Sequence, residues 1–503
     1  MIALLLSCLL LQIIPIPAEY TPAQGVCTRD KICVKLNKCA FKRTVAALEP
    51  FQQQEAYRLT VKPGRIVIEA LTPEGEFRAR KSLEQMRLEG TPLPCCTITD
   101  WPRFKHRGLM LDESRSFKGV EFIKKQIDAM ALLKLNVLHL HLDDSAGWRI
   151  QIDSYPDLTA KTAWRIGWDY FAWEKGGYKF STQGSPEATG GCYSKAELKE
   201  IVEYAAQRYI TVIPEIEMPG HSMEVGYAYP EVLCTTSSGL SCRGAWDLCP
   251  GSEETFTLLE GVLTEVMDIF PSPFIHIGGD EATMTTWHDC PKCRARMARE
   301  GYTDVKQLQG YLIRRIEDFV RRHGRRIIGW DEILETGVSP DAVIQSWRGT
   351  AGGVNASKAG REVVMSPNTH CYYNYYQDLI RKEPAACGEL VSLRFTYGYE
   401  PVADGMDPAL VRGLQANLWC EYIPTPEHAE YMLYPRLFAL AETAWSPAGR
   451  KEYKAFRKRA RRLLDSFRAL GYKTFDMDNE SDLARSGMQR FPPEGVPIIV
   501  DDE

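Results

Sequence analysis

Residues Phe274–Trp287 read FIHIGGDEATMTTW: a short apolar run, two glycines, then two adjacent acids, Asp280 and Glu281. Neighbouring carboxylates repel one another, and burying either is costly unless it is paired or neutralised. Acids so placed can move a proton or hold charge during a reaction. Taken alone, the pair is equally an ordinary strand end running into a solvated turn, so the rest of the chain has to decide.

From Trp101 onward, apolar runs recur, each followed by a longer helical pattern: 108–111, 137–142, 210–216, 274–277, 326–330, 343–347, 362–365 and 414–419. Amphipathic stretches such as 121–133 and 193–208 lie between them, the second opening on a capping box, Ser194 to Glu197. Eight strands alternating with helices predict a (β/α)8 barrel. The residues after each run are unusual. His141, Asp143 and Asp144 follow the second, and Glu215, Glu217 and His221 the third. Asp280 and Glu281 follow the fourth. Trp330, Asp331 and Glu332 end the fifth, Trp347 and Arg348 the sixth, His370, Tyr372 and Tyr373 the seventh, and Trp419 and Glu421 the eighth. This is the C-terminal face, where barrel enzymes keep their chemistry. A single tryptophan there is more often packing than function. Three beside acids are better explained as walls of a sugar subsite.

Residues 1–12 form an apolar export-signal segment, and Leu5-Leu6-Ser7-Cys8 resembles a lipoprotein cleavage box, so a lipid anchor is expected only if Cys8 is its cysteine. Residues 13–99, with the alternating Arg65–Glu69 and a helical pattern over 77–88, form a small α+β domain; 100–450 form the barrel; 451–503 form a C-terminal helix and tail packed on it. The basic run from Arg450 to Arg462 carries apolar residues at helical spacing, which reads as a solvated face on a packed helix. A net charge of -5 gives no sign of a nucleic-acid partner. Export to the periplasm, cell surface or medium of a bacterium is expected, with oligomeric state left open. Fifteen cysteines leave at least one unpaired. Cys290-Pro-Lys-Cys293 has zinc-ligand spacing, but no second CxxC or His pair sits at a suitable distance, so a local disulfide or two structural thiols is expected, with no metal and no cofactor.

At five places the chain resembles the β-N-acetylhexosaminidases of glycoside hydrolase family 20: His106-Arg-Gly108, Pro214-Glu-Ile-Glu-Met-Pro-Gly-His221, His276-Ile-Gly-Gly-Asp-Glu281, Gly329-Trp-Asp-Glu332 and Trp419-Cys-Glu421. The resemblance runs from about residue 13 to 447, and it implies that Ile13–Pro17 is the first strand of the small domain. It also implies an exo-acting enzyme that removes terminal β-linked GlcNAc or GalNAc with retention, through an oxazolinium intermediate. By the same resemblance Glu281 is the general acid/base, Asp280 orients the substrate's 2-acetamido group, and Tyr372 hydrogen-bonds its oxygen. Trp330, Trp347 and Trp419 would line the sugar. Arg107, Asn374 and Glu421 would bind its hydroxyls. Asp144, Glu217, His221 and His276 would form a supporting network. Most glycosidases need two carboxyl groups facing each other across the scissile bond. Adjacent residues in an extended segment point to opposite sides, so Asp280 and Glu281 suit substrate-assisted chemistry better.

Three departures from the family pattern stand out. Asp143-Asp144-Ser145 replaces the usual two acids and Gln, with Asp144 aligned to the first acid and a slip to Asp143 as the alternative. Asn374 replaces an Asp, and Glu217 a shorter Asp. Two other functions stand as alternatives: release of a disaccharide, as lacto-N-biosidases of the same family do, and a non-catalytic carbohydrate-binding barrel. The second would erode Asp280, Glu281 or Tyr372, and all three are intact.

Overall fold

The computed structural model describes residues 12–28, 31–88, 90, 92–238 and 247–487. The expected signal segment through residue 11, including Cys8, lies outside these, as does the tail from 488.

Eight parallel strands close into a barrel: His106–Asp112, Val137–His141, Thr211–Glu215, Phe274–His276, Arg326–Trp330, Val343–Ser346, Val363–Met365 and Val411–Leu418. The last strand pairs with the first, Gly413 against His106 through Leu418 against Leu111. Each expected run supplies one strand. The reason is burial: strands covered by the barrel interior on one side and helices on the other are apolar nearly throughout. The helices supply the outer layer. Val120–Leu132 buries Phe122, Ile123, Ile127 and Met130, and Lys195–Ala206 starts at a capping box in which Ser194 and Glu197 accept each other's backbone N–H. Tyr453–Ala469 buries Phe456, Leu463, Leu464 and Phe467 on the same core, leaving most of its arginines and lysines outward.

Five strands ahead of the barrel form one sheet, in the order Glu19–Cys27, Leu93–Asp100, Tyr57–Lys62, Arg65–Ala70, Ile32–Leu36, with the helix Pro73–Leu88 packed against it. The small α+β domain is therefore present, but Ile13–Pro17 is not its first strand; that is Glu19–Cys27. Pro15 and Pro17 have no N–H to give a ladder. The segment is held by packing instead, with Ile13 and Ile14 fully buried and the Gln85 side-chain amide bonding both backbone groups of Ile14.

This domain docks on the N-terminal end of the barrel through buried charge. Arg107 donates two bonds to Glu55, at 3.0 and 2.5 Å, one to the carbonyl of Lys134, and one to that of Phe104. Lys134 Nζ lies 2.8 Å from Asp100 Oδ2, which also accepts from the Trp445 indole. Arg107 is 0 % exposed. The expectation that it binds a sugar hydroxyl is therefore corrected: it stands near the start of its strand, at the end of the barrel opposite the acids, and fastens two domains.

Candidate active site

The fourth barrel strand ends at His276, and the chain then turns through Gly278 (φ +61°) and Gly279 (φ +96°). These left-handed values are cheap only for glycine. Space demands glycine too: a Cβ on Gly278 would lie 1.9 Å from the Glu217 carboxylate, and one on Gly279 would lie 2.4 Å from Ile333 Cγ2. Glu217 uses that room to brace the turn, its Oε1 accepting the N–H of Gly279 at 2.9 Å and of Met218 at 3.1 Å.

The turn does not become extended afterwards. Glu281 itself has φ +48°, an uncommon conformation for a residue with a side chain. The expectation that the two acids alternate across an extended segment is overturned. Both reach one imidazole nitrogen: His221 Nε2 stands 3.3 Å from Glu281 Oε2 and 3.8 Å from Asp280 Oδ2.

Behind His221 runs a line of buried polar groups. Its Nδ1 is 3.4 Å from Asp144 Oδ1, and Asp144 Oδ2 is 2.5 Å from Arg115 and 3.1 Å from His141 Nε2. His141 Nδ1 makes a short bond to Glu215, which also accepts from the Trp330 indole at 2.9 Å and lies 2.7 Å from His276 and 3.0 Å from His139. Asp144, not Asp143, is the acid in this network; Asp143 faces away and accepts the backbone N–H of Glu217.

These contacts fix the charges. Burial opposes a proton on His221, but the Asp144 carboxylate and the bonds to Asp144 and Glu281 raise its pKa well above the usual imidazole value. His141, also buried, is raised to about 10 by Glu215 and Asp144. The hydrogen bond from His221 holds Glu281 below the usual carboxylate range. Asp280 goes the other way: burial raises it to about 6, although the His221 charge pulls it down.

Asp280, Glu281, Tyr372, Trp347 and Trp419 wall a pocket of about 160 Å³, which Arg115, Asn374 and Glu421 also line. The Tyr372 and Trp347 rings lie nearly parallel, 17° apart, and Trp419 stands edge-on to His141. Two buried acceptors of the pocket have no partner among the described residues, Asp280 Oδ1 and Asn374 Oδ1. A second groove, about 420 Å³, shares Glu281 and Trp347 with the first and runs on past Met284, Lys306 and Arg348. Trp347 donates its indole N–H across the divide to Glu332, whose carboxyl is raised to about 7 by burial and by Asp280.

Most of the residues named from the sequence therefore meet in one place. Trp330 and His276 lie one layer deeper than expected, 1 % exposed and bound to Glu215 beneath the pocket. His141 and Glu215, noted at strand ends but given no role, join the network, whereas Arg115 is a residue of the site that the sequence reading missed. Arg115 follows the first barrel strand by three residues, and that position was the signal that could have found it. Arg115 takes the place expected of Arg107: its guanidinium lies over the Trp419 ring at 4.9 Å and reaches toward Glu421 at 3.9 Å. The expectation that Cys290 and Cys293 lack partners is also corrected, because the fold brings Cys234 and Cys249 to them.

Comparison with known proteins agrees with this geometry. Residues 104–448 match the model of the glycosyl hydrolase family 20 catalytic domain, and 22–101 match that family's domain 2. A β-hexosaminidase of Porphyromonas gingivalis is 37% identical over 427 residues, 81% of this chain and 53% of its own length; one from Vibrio furnissii is 40% identical over 411, covering 79% and 66%. The chain thus spans about half to two thirds of these relatives. Among solved structures, the family 20 exo β-N-acetylglucosaminidase of Vibrio harveyi, in complex with N-acetylglucosamine, superposes with a TM-score of 0.80 at 30% identity, over 93% of this chain and 78% of that one. With the matched catalytic model covering well over half of the sequence, and both acids of its barrel face converging on one histidine, this chain belongs to glycosyl hydrolase family 20.

Proposed function

We propose that this protein is an exo-acting β-N-acetylhexosaminidase that removes a single terminal β-linked N-acetylhexosamine with retention, using the substrate's own acetamido group as nucleophile. The observation that carries the reading is Asp280 Oδ1, a buried carboxylate oxygen with no partner among the described residues, walled in with Tyr372 and two tryptophans. An acetamido group matches that wall atom for atom. Its N–H gives Asp280 a donor, its carbonyl accepts from Tyr372, and its methyl finds the apolar ring faces. Held so, the carbonyl oxygen is directed at C1. Asp280 then faces the positive charge that develops on the nitrogen, the arrangement by which a preformed site lowers a barrier.

Proton supply follows from the network. In the free protein the proton shared by His221 and Glu281 rests on the imidazole, since Glu281 is held low and is half exposed. A sugar seated over Glu281 removes water from its carboxylate, and desolvation favours the neutral form. The proton then passes from His221 Nε2 to Glu281 Oε2 and on to the leaving glycosidic oxygen. The ionised Glu281 next takes a proton from the water that opens the oxazolinium. Arg115, Asn374 and Glu421 offer donors and acceptors to the ring hydroxyls.

The pocket of about 160 Å³ is smaller than the ~300 Å³ at which sites for drug-sized ligands begin, which supports one sugar ring rather than a disaccharide. The test is a panel of p-nitrophenyl β-GlcNAc, β-GalNAc and β-lacto-N-bioside. Release from the monosaccharides is expected. Release from the lacto-N-bioside alone would replace this reading with the disaccharide one.

A further inference from the structure

Away from the acids, the fold gathers a second cluster of reactive groups. Cys234, Cys249, Cys290 and Cys293 are each 0 % exposed, and their four sulfurs all lie within 4.8 Å of one another. Cys234 to Cys293 and Cys249 to Cys290 are both 3.7 Å, and Cys249 to Cys293 is 3.5 Å. These four are free thiols, and none of the three distances is that of a disulfide bond. A zinc ion bound by four thiolates at ~2.3 Å in a tetrahedron sets its sulfurs about 3.8 Å apart. The three distances fall close to that edge. An iron–sulfur cluster needs its cysteines spread around several metal atoms, so this arrangement has room for one ion only.

The surroundings suit a closed structural site. Cys290 is the N-cap of the helix Pro291–Glu300 and Cys293 sits in its first turn, so both thiols belong to the positive end of the helix dipole. Trp287, Val305 and Leu308 cover the cluster, and the Trp287 indole is tied to the carbonyl of Leu248. Four protein ligands leave no open position for a reacting water.

We propose that these four cysteines bind one zinc ion, which clamps the loop after the third barrel strand to the loop that carries Glu281. Cys234 and Cys249 belong to the first loop; Cys290 and Cys293 end the second. Between them the two loops already touch near the active site, where Asp247 accepts from the backbone N–H groups of Thr283 and Met284 and from the Thr283 hydroxyl. On binding, the thiols give up their protons to solvent as four thiolates replace water around the ion. The zinc takes no part in bond cleavage. It holds the wall of the second groove, where Met284 lies, at a fixed distance from the pocket.

The experiment measures metal in the full chain purified without chelator. Elemental analysis should find close to one zinc per chain, and X-ray absorption at the zinc edge should find four sulfurs at about 2.3 Å. Cys234→Ser and Cys293→Ser should each lose most of that zinc. Less than a tenth of an equivalent in the wild type, the four cysteines recovered as two disulfides, or stoichiometric iron in place of zinc would each overturn the proposal. So would nitrogen or oxygen ligands at the edge, or full zinc content in both variants. If the variants do not fold, the absorption spectrum of the wild type decides alone.

Discussion

His221 Nε2 lies 3.3 Å from Oε2 of Glu281 and 3.8 Å from Oδ2 of Asp280, so one imidazole faces both acids of the turn. The imidazole is held in its charged form by Asp144 behind it, so in the proposed mechanism it serves as a proton store for Glu281 and as a nearby cation for Asp280.

The pH dependence follows from that double role. Asp280 must be ionised to face a developing cation, and burial raises it to about 6, so kcat/KM should fall below an acid limb near pH 6. That limb belongs to the coupled group rather than to one residue. The His221 charge lowers Asp280, so removing it with His221→Gln should move the limb to higher pH, along with a loss of rate. A limb that stays in place or moves down in the variant would contradict the network.

The two arginines of the first barrel strand and its exit should separate cleanly. Arg107→Met takes from buried Glu55 one of its two arginine partners, leaving Arg78 at 2.8 Å, and should lower the melting temperature while the folded fraction keeps its KM. Arg115→Lys keeps a charge beside Asp144 but loses the guanidinium fork. It should cost about 1.5–3 kcal/mol in kcat/KM, a ten- to hundredfold fall, with a smaller change in melting temperature. Thermal melts and steady-state kinetics of both variants check this. The reverse pattern would return the sugar-binding role to Arg107.

Why the sequence misled at that point is instructive. The barrel rule assigns chemistry to strand ends, and Arg107 comes near the start of its strand whereas Arg115 comes three residues past the end. The eight strands themselves were legible because burial on both faces leaves runs with few polar interruptions. The Asp280–Glu281 pair was legible as a site but not in its geometry, because the double glycine lets the backbone enter a left-handed turn that strand alternation does not foresee. Cys290 and Cys293 gave only half of their cluster. Their partners lie more than forty residues earlier, on another loop, and only the closure of the barrel brings them near. Ile13–Pro17 was misread because apolar residues serve packing as well as pairing.

The glycine turn itself can be tested. Gly278→Ala would place a Cβ against the Glu217 carboxylate and displace the brace under Asp280, so activity should fall at least a hundredfold. Gly324→Ala, at φ +73° with open space around it, serves as the control. It should cost only the left-handed strain of about 1–2 kcal/mol and leave kcat/KM unchanged. Equal kinetics for the two variants would mean that Glu217 does not position the turn.

Glu281→Gln keeps the shape of the acid but cannot give or take the proton. Chitobiose turnover should drop by roughly 10²–10⁴-fold, the usual worth of a general acid, while product inhibition by GlcNAc changes little. Near-normal chitobiose cleavage by this variant would remove Glu281 from its role.

The central claim is that the acetamido group attacks C1 under the hold of Asp280, and one measurement bears on it most directly: the inhibition constant of a stable thiazoline analogue of the oxazoline, in the wild type and in Asp280→Asn. An enzyme built for that intermediate should bind its mimic competitively and at least a hundredfold more tightly than substrate. The variant should lose most of that advantage, because a neutral amide no longer offers the charge that the thiazoline nitrogen meets. Absence of tight inhibition in the wild type, or an inhibition constant unaffected by Asp280→Asn, would contradict the account.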